Sequence, residues 1–373
     1  MIPSRTKRIA TAALATALIS TATPATQAHA LGITDGLIPI ADALQTIPQP
    51  AEDIAPKVPQ PLADMGLTGT RITAPFHSDP GAIRTEFGAP GTHPVASSLP
   101  TIDCTPIYAL YNQILRFNHG NNVPPECYGV TPEGPNPAIG YQFIYPTDLE
   151  AGQRAPLIVL SPGIGAEPGM VHHHAEFYAS HGYVVALGYS VANWFGAQMD
   201  IAALAANQTD LDPASPLYQR VDFSKILLVG HSAGGGAAIR EAGLLDKLLQ
   251  SVGREDARIE GTVGINPGPA DFGVASPPSP VPTLVLAAEH ESLVPWPLSK
   301  LAYDRATGPK WWAVVRGAEH GVYLDASELT VYDSLVISFA DYTLRGSEQA
   351  ARVYQGQDML LKTDSELMNV TTS

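Results

Sequence analysis

Only two cysteines occur in 373 residues, which excludes a scaffold knitted together by disulfides. Basic side chains are scarce too, 21 against 36 acidic ones, for a formal charge of −15. Phosphate binding needs a dense lysine and arginine surface, so this balance argues against a nucleic-acid partner and against electrostatic docking on anionic lipid. An apolar patch can still meet a lipid or polymer surface. Long apolar runs are also missing: the nearest approach, Ile9 to Ser20, falls short of the roughly 18 residues that a membrane span needs. What is present, 45% hydrophobic residues, is an ordinary globular composition able to bury a substantial core.

The first thirty residues read as an address. Arg5, Lys7 and Arg8 precede the apolar stretch, and Ala28-His29-Ala30 supplies the small residues of a peptidase site. The expectation is a signal peptide over 1–30, cleaved after Ala30, no integral membrane segment in the mature chain, and a secreted or cell-envelope location. Cleavage removes three basic groups and no acidic one, leaving 18 against 36. Export permits oxidation, and with only Cys104 and Cys127 present a single intramolecular disulfide is expected. Closing that loop is worth about 3.5 kcal/mol on the chain-entropy model.

Residues 31–137 form an irregular, proline-rich extension, with prolines at 39, 48, 50, 56, 59 and 61 and again at 132, 135 and 137. Only Leu37, Ile40, Leu44, Ile47 and Tyr108, Tyr111, Ile114, Leu115 keep helical spacing. From 138 to 346 the texture changes. Apolar runs alternate with helix-like segments, the pattern of an α/β domain with a mostly parallel central sheet flanked by helices. Strands are expected at Tyr141–Tyr145, Leu157–Leu160, Tyr183–Leu187, Ile226–Val229, Thr262–Ile265, Thr283–Ala287 and Trp311–Val315, with helices over Ala237–Gln250 and Ser327–Leu344. Residues 347–373 read as a C-terminal tail.

After the strand Ile226–Val229 comes Gly230-His231-Ser232-Ala233-Gly234, then a helix. This is G-x-S-x-G in the setting its chemistry requires: a turn so sharp that the serine backbone is strained, its neighbours must be glycine, and the hydroxyl is lifted clear of the sheet. The pentapeptide alone is weak. Its weight comes from the strand before it, the helix after it, and an acid and a histidine following in chain order.

A serine hydroxyl needs a base within hydrogen-bond reach. Of eleven histidines, His320 stands in the right place, in Gly317-Ala318-Glu319-His320-Gly321 after the strand Trp311–Val315. His231 is expected to point into the core, and His181 and His290 are read as structural or loop residues. The base needs a carboxylate at its other nitrogen. Glu289 and Glu291 both follow Thr283–Ala287, and Glu291, four residues past the strand end, is preferred.

Acyl transfer also needs donors for the developing oxyanion. Ala233 N–H follows the nucleophile, and Ile164 N–H, in Ser161-Pro162-Gly163-Ile164-Gly165, is the second candidate. His172-His173-His174 invites a metal reading, but consecutive residues diverge in direction and do not converge on one ion. No metal and no cofactor is expected. Trp194, Phe195 and Trp296 are candidates either for an acyl pocket or for packing.

Together, Ser161-Pro162-Gly163, Ser180-His181-Gly182-Tyr183-Val184-Val185, Val221-Asp222, Gly230-His231-Ser232-Ala233-Gly234-Gly235-Gly236 and Phe339-Ala340-Asp341-Tyr342-Thr343-Leu344-Arg345-Gly346 resemble the α/β-hydrolase superfamily. The similarity is closest to secreted serine esterases of the cutinase, polyester hydrolase and platelet-activating-factor acetylhydrolase type. The resemblance implies an α/β-hydrolase fold over 138–346, Ser232 as nucleophile, His320 as base, Glu291 as orienting acid, and oxyanion donors at Ile164 and Ala233. Two departures stand out: the family usually has aspartate where Glu291 stands, and alanine follows the nucleophile where polyester hydrolases often carry methionine. The expected function is a secreted carboxylic-ester hydrolase of esterase or lipase type acting on a small-molecule or lipid ester. Alternatives are an acyltransferase with the same triad, a non-catalytic envelope or lipid-binding protein, and, more weakly, a peptidase.

Overall fold

The computed structural model describes residues 78–102, 127–128, 139–163, 168–190, 193, 195–268, 277–291, 293–324 and 329–373. By compactness the chain divides into two units, Met1–Ile47 and Pro48–Ser373, and every described residue belongs to the second. The signal segment, the helical spacings at Leu37–Ile47 and Tyr108–Leu115, and Cys104 with its expected pairing all lie outside the described residues.

One nine-stranded sheet organises the described residues. Its members in chain order are β1 (Val95–Ser97), β4 (Ile139–Pro146), β5 (Ala155–Ser161), β6 (Val184–Ser190), β7 (Val221–His231), β8 (Ile259–Ile265), β9 (Thr283–Ala288), β10 (Lys310–Val315) and β11 (Leu367–Thr372). Two further short strands, β2 (Thr101–Ile102) and β3 (Cys127–Tyr128), pair separately as an antiparallel ribbon. The spatial order is β1-β4-β6-β5-β7-β8-β9-β10-β11, parallel from β6 to β10 and antiparallel at both margins. The chain steps from β5 to β6 on one side, then returns to lay β7 on the other side of β5. In parallel sheets such a reversal marks where ligands are held, at the carboxyl ends of the strands on either side of it, here β5 and β7.

The seven strands read from sequence are all present, each extended by one or more residues at an end, while β6 starts at Val184, one residue after the expected Tyr183. β5, β6 and β9 are buried along their whole length, which is why they appear as unbroken apolar runs. Alternate residues feed opposite faces. Leu227 and Val229 pack with Tyr178, Leu335 and Phe339, whereas Ile226 and Leu228 pack with Met199, Ala202 and Ala237. Each such Leu or Val, fully removed from water, contributes roughly 1.5–3 kcal/mol.

The helices cover both faces. They are α1 (Ala82–Phe87), α2 (His172–Ser180), α3 (Ala197–Leu211), α4 (Ala233–Glu241), α5 (Leu245–Ser251), α6 (Trp296–Arg305), α7 (Val331–Arg345), α8 (Glu348–Tyr354) and α9 (Leu360–Thr363). The helix expected over Ala237–Gln250 is two helices, α4 and α5. Its intended face is divided accordingly: Ala242, Leu245 and Leu249 join one core, while Ile239 packs across the sheet edge with Val285 and Ala287. The break falls at Gly243, where propensity is lowest and the bond from Leu244 N–H to Glu241 C=O (3.0 Å) has tightened the turn. α7 begins at Val331 under a reciprocal capping box between Thr330 and Asp333.

Both ends of the expected catalytic segment need redrawing. Residues 347–373 are not a tail. They carry α8, α9 and the edge strand β11, which pairs with β10, and Trp311 Nε1–H donates to Tyr354 C=O at 2.9 Å. β11 buries only Leu367 and alternates half-buried with exposed residues after it, so its sequence lacks the apolar run of the central strands. At the other end, part of the supposed extension belongs to the core, since β1 pairs with β4 and Ile83 and Phe87 of α1 are buried in the main cluster.

α1 has no capping side chain of its own. Its first amides are instead met by carboxylates almost three hundred residues later: Ile83 N–H donates to Asp364 (2.7 Å) and Gly81 N–H to Glu366 (2.9 Å). Glu366 also pairs with Arg84 at 3.2 Å. Both acids are buried, so removing one strands a buried donor, at a cost of about 1–3 kcal/mol. Asp364→Ala is therefore expected to lower stability by that amount in urea melts. An unchanged melting midpoint would contradict this account of the clasp.

Candidate active site

β7 ends at His231, and Ser232 follows with φ 54° and ψ −123° before α4 begins. Positive φ is costly for a residue with a side chain and persists only where the surroundings enforce it. Here the enforcement is visible. Ser232 N–H donates to Ile265 C=O (2.9 Å), and Ser232 C=O accepts from Gly236 (3.1 Å) and Gly268 (2.7 Å). The crowding explains the flanking glycines: a Cβ on Gly230 would stand 2.1 Å from Gly234 C=O, and one on Gly234 would stand 2.3 Å from Pro162 C=O.

His320 hangs between β10 and the 3₁₀ turn Val322–Leu324, and is buried. Its Nε2 lies 2.9 Å from Ser232 Oγ and its Nδ1 lies 2.7 Å from Glu291 Oε2. A carboxylate only accepts, so Nδ1 carries the proton and Nε2 presents its lone pair to the serine hydroxyl. Glu291 is fixed in turn: its Oε1 accepts the amides of Leu293 (2.7 Å) and Val294 (2.9 Å). Glu289 is elsewhere. Its carboxylate accepts Gly317 N–H at 2.7 Å, bracing the start of the His320 loop. The structure thus brings Ser232, His320 and Glu291 into one hydrogen-bonded chain.

Ala233 is the first residue of α4, where helical amides have no partner within the helix. Ile164 lies outside the described residues, but the strand leading to it is described. Gly163 passes so close to the serine that a Cβ there would be 3.1 Å from Ser232 Cβ. Its carbonyl accepts from Asn193 Nδ2 (2.6 Å), and Gln198 Nε2 donates both to Ser161 Oγ (2.9 Å) and to Asn193 C=O (2.8 Å). Sequence reasoning missed Asn193 and Gln198. Their only signal is amide side chains in and just after the loop that follows an apolar strand.

The remaining histidines have distinct surroundings. His172 stacks on Tyr128 with ring centroids 3.9 Å apart and pairs with Glu176. Burial, and then the neighbouring His174 and His172, push the His173 pKa well down. His174 bonds Asp333 through Nδ1 and Tyr323 C=O through Nε2. The three therefore face different partners, and among the described residues no group of three or more His, Cys, Asp or Glu is placed to hold a metal. His181 caps α2 and His290 is exposed. His231 is buried, as expected, with Nε2–H donating to His320 C=O at 2.8 Å. Phe195 is 62% exposed, Trp296 Nε1–H donates to Ala288 C=O at 2.7 Å, and Trp194 lies outside the described residues. No described helix is long and apolar enough to cross a membrane.

Beside the Phe195 loop, Arg240 bonds both Phe195 C=O (2.5 Å) and Glu241 Oε1 (2.5 Å). Burial, and then the Asp200 carboxylate, push the Glu241 carboxyl from its ordinary 4.5 up to about 7. Burial raises Asp200 as well.

With the geometry in hand, comparison with protein-family models finds no match, and comparison with curated proteins finds none either.

Two outcomes follow. If Glu291 orients the base, Glu291→Gln is expected to cost at least about 100-fold in turnover, by analogy with tautomer loss in triads, whereas Glu289→Gln changes it far less. The reverse ranking would overturn the assignment. At Glu241 the folded carboxyl holds its proton more tightly than the unfolded one, so stability falls as pH rises from 4.5 to about 7 and then levels off. Glu241→Gln removes that fall, so thermal melts at several pH values should show the variant gaining on the wild type above neutrality.

Proposed function

We propose that this chain is an exported serine carboxylic-ester hydrolase built on an α/β-hydrolase architecture. The observation that carries the reading is the chain from Ser232 Oγ through His320 to Glu291, at 2.9 and 2.7 Å, erected on a positive-φ serine between a strand and a helix. The order nucleophile, acid, histidine along the sequence, each just beyond a parallel strand, supports the same architecture. The basic, then apolar, then small-residue leader supports export.

The chemistry follows from the donors and acceptors. His320 Nε2 takes the Ser232 proton as Oγ bonds to the ester carbonyl carbon, and Glu291 compensates the imidazolium that forms. The oxyanion is met by the amides of Ala233 and Ile164. Collapse expels the alcohol, which receives the proton from His320 and leaves an acyl group on Ser232. Water, deprotonated by the same nitrogen, then releases the acid.

Phe195, two residues after Asn193 in the chain, and Leu293, whose amide donates to the Glu291 carboxylate, are among the most exposed large apolar residues. They suit a small-molecule or lipid ester reaching the site from an apolar phase. Hydrolysis of nitrophenyl esters from acetyl to palmitoyl tests the reading. Ser232→Ala should abolish turnover by at least about 1,000-fold. Because His320 must be uncharged to accept the proton, the rate should fall as the solution is made acid. A flat profile, or an active Ser232→Ala protein, would overturn the proposal.

A further inference from the structure

His320 sits in a loop with no regular structure of its own, between the end of β10 at Val315 and the turn starting at Val322. What holds its backbone is therefore a local question. Two side chains converge on its carbonyl oxygen: His231 Nε2–H at 2.8 Å and Asn266 Nδ2–H at 3.1 Å. Both come from the ends of neighbouring parallel strands, β7 and β8, and both are buried. A carbonyl only accepts, so the tautomer of His231 is fixed with its proton on Nε2.

Two features show that this arrangement is not mere packing. The first is His231 Nδ1, which is buried and has no hydrogen-bond partner among the described residues. A phenylalanine would fill the same space beside His320 (ring centroids 4.9 Å apart) and Tyr323 (5.8 Å) without an orphaned lone pair. What only the imidazole supplies is the Nε2 donor. Burial also pushes the His231 pKa well down, so the ring stays neutral when its neighbour becomes an imidazolium. The second feature is Asn266, which adopts φ 43°. Asparagine tolerates that left-handed conformation better than other residues with side chains, and it brings its amide to the carbonyl.

We infer that His231 and Asn266 are positioning residues that clamp the peptide of His320 and so hold its Nε2 on the serine hydroxyl. A third buried contact, His174 Nε2–H to Tyr323 C=O, fixes the same loop one turn later. The inference rests on the reading of Ser232 and His320 as nucleophile and base. It adds that a donor at one specific atom, not an aromatic ring, is required at position 231.

The test uses the geometry of amides: the Nε2 of glutamine falls where histidine Nε2 lies, whereas asparagine Nδ2 falls where Nδ1 lies. His231→Phe and His231→Asn are expected to lower kcat by roughly 10- to 100-fold, the scale of a misplaced base, with KM changed by less than about 2-fold. His231→Gln should recover to within about 3-fold of wild type. Asn266→Asp keeps the shape and backbone preference but turns an acceptor toward the carbonyl, and should also lower kcat at least about 10-fold; it gives an answer even if the 231 variants fail to fold. Glutamine as poor as phenylalanine at equal melting temperature, a wild-type His231→Phe, or a wild-type Asn266→Asp would each overturn the clamp. An activity-independent readout separates the two readings: the downfield proton resonance of His320 Nδ1–H should be present in wild type and His231→Gln and lost to exchange in His231→Phe. If wild type neither hydrolyses esters nor labels with a fluorophosphonate, the esterase reading fails, and persistence of that resonance in His231→Phe would overturn the clamp separately.

Discussion

The site depends on a backbone held in a conformation it would not choose. At Ser232 the chain must stop being a strand and become a helix within one residue, and the positive φ this demands costs of order 1–3 kcal/mol. The sheet supplies the restraint. β8 and the Gly268 loop bond the serine's own amide and carbonyl, and α4 cannot move away because Gly234 is pressed against the end of β5. Strain and packing are therefore one fact viewed from two sides. The hydroxyl is held within 2.9 Å of His320 Nε2.

The same sheet explains why the partners arrive on loops. β9 and β10 are adjacent and in register, Ala288 opposite Val315, so the segments that follow them leave the sheet side by side. His290 N–H bonds Ala318 C=O and Glu289 accepts Gly317 N–H, tying the two loops before either reaches the serine. Glu289 and Glu291 thus divide the work by position: one ties the loops together at their base, the other meets the imidazole at their tip. The loop that carries His320, the proposed base, is held by hydrogen bonds to backbone carbonyls and amides, not by secondary structure.

How far the sequence could be read follows from burial. Strands such as Leu157–Leu160 and Thr283–Ala287 were legible because both faces are covered, which leaves a continuous apolar run. β1 and β11 were not, because an edge strand buries alternate residues at most and its polar half imitates a loop. α1 escaped notice for another reason: its capping groups, Asp364 and Glu366, stand at the far end of the chain, so no local start signal exists. Of the candidate site, Ser232, His320 and Glu291 were legible because chain order and strand ends restrict them tightly. Asn193, Gln198 and Asn266 were not, since an amide in a loop or at the start of a helix carries no information until its partner is known.

Glutamate at the acid position follows the same logic of reach. Its side chain is one methylene longer than aspartate, and a longer arm loses more rotamer freedom when fixed. Here that freedom is removed by the chain itself: the turn from Glu291 to Val294 folds two amides onto Oε1, leaving Oε2 as the oxygen free to face Nδ1. Three N–H donors, from Leu293, Val294 and His320, thus converge on one side chain and fix its orientation. The extra methylene is then not slack in the mechanism. It lets Oε2 meet His320 Nδ1 while Oε1 accepts the amides of Leu293 and Val294.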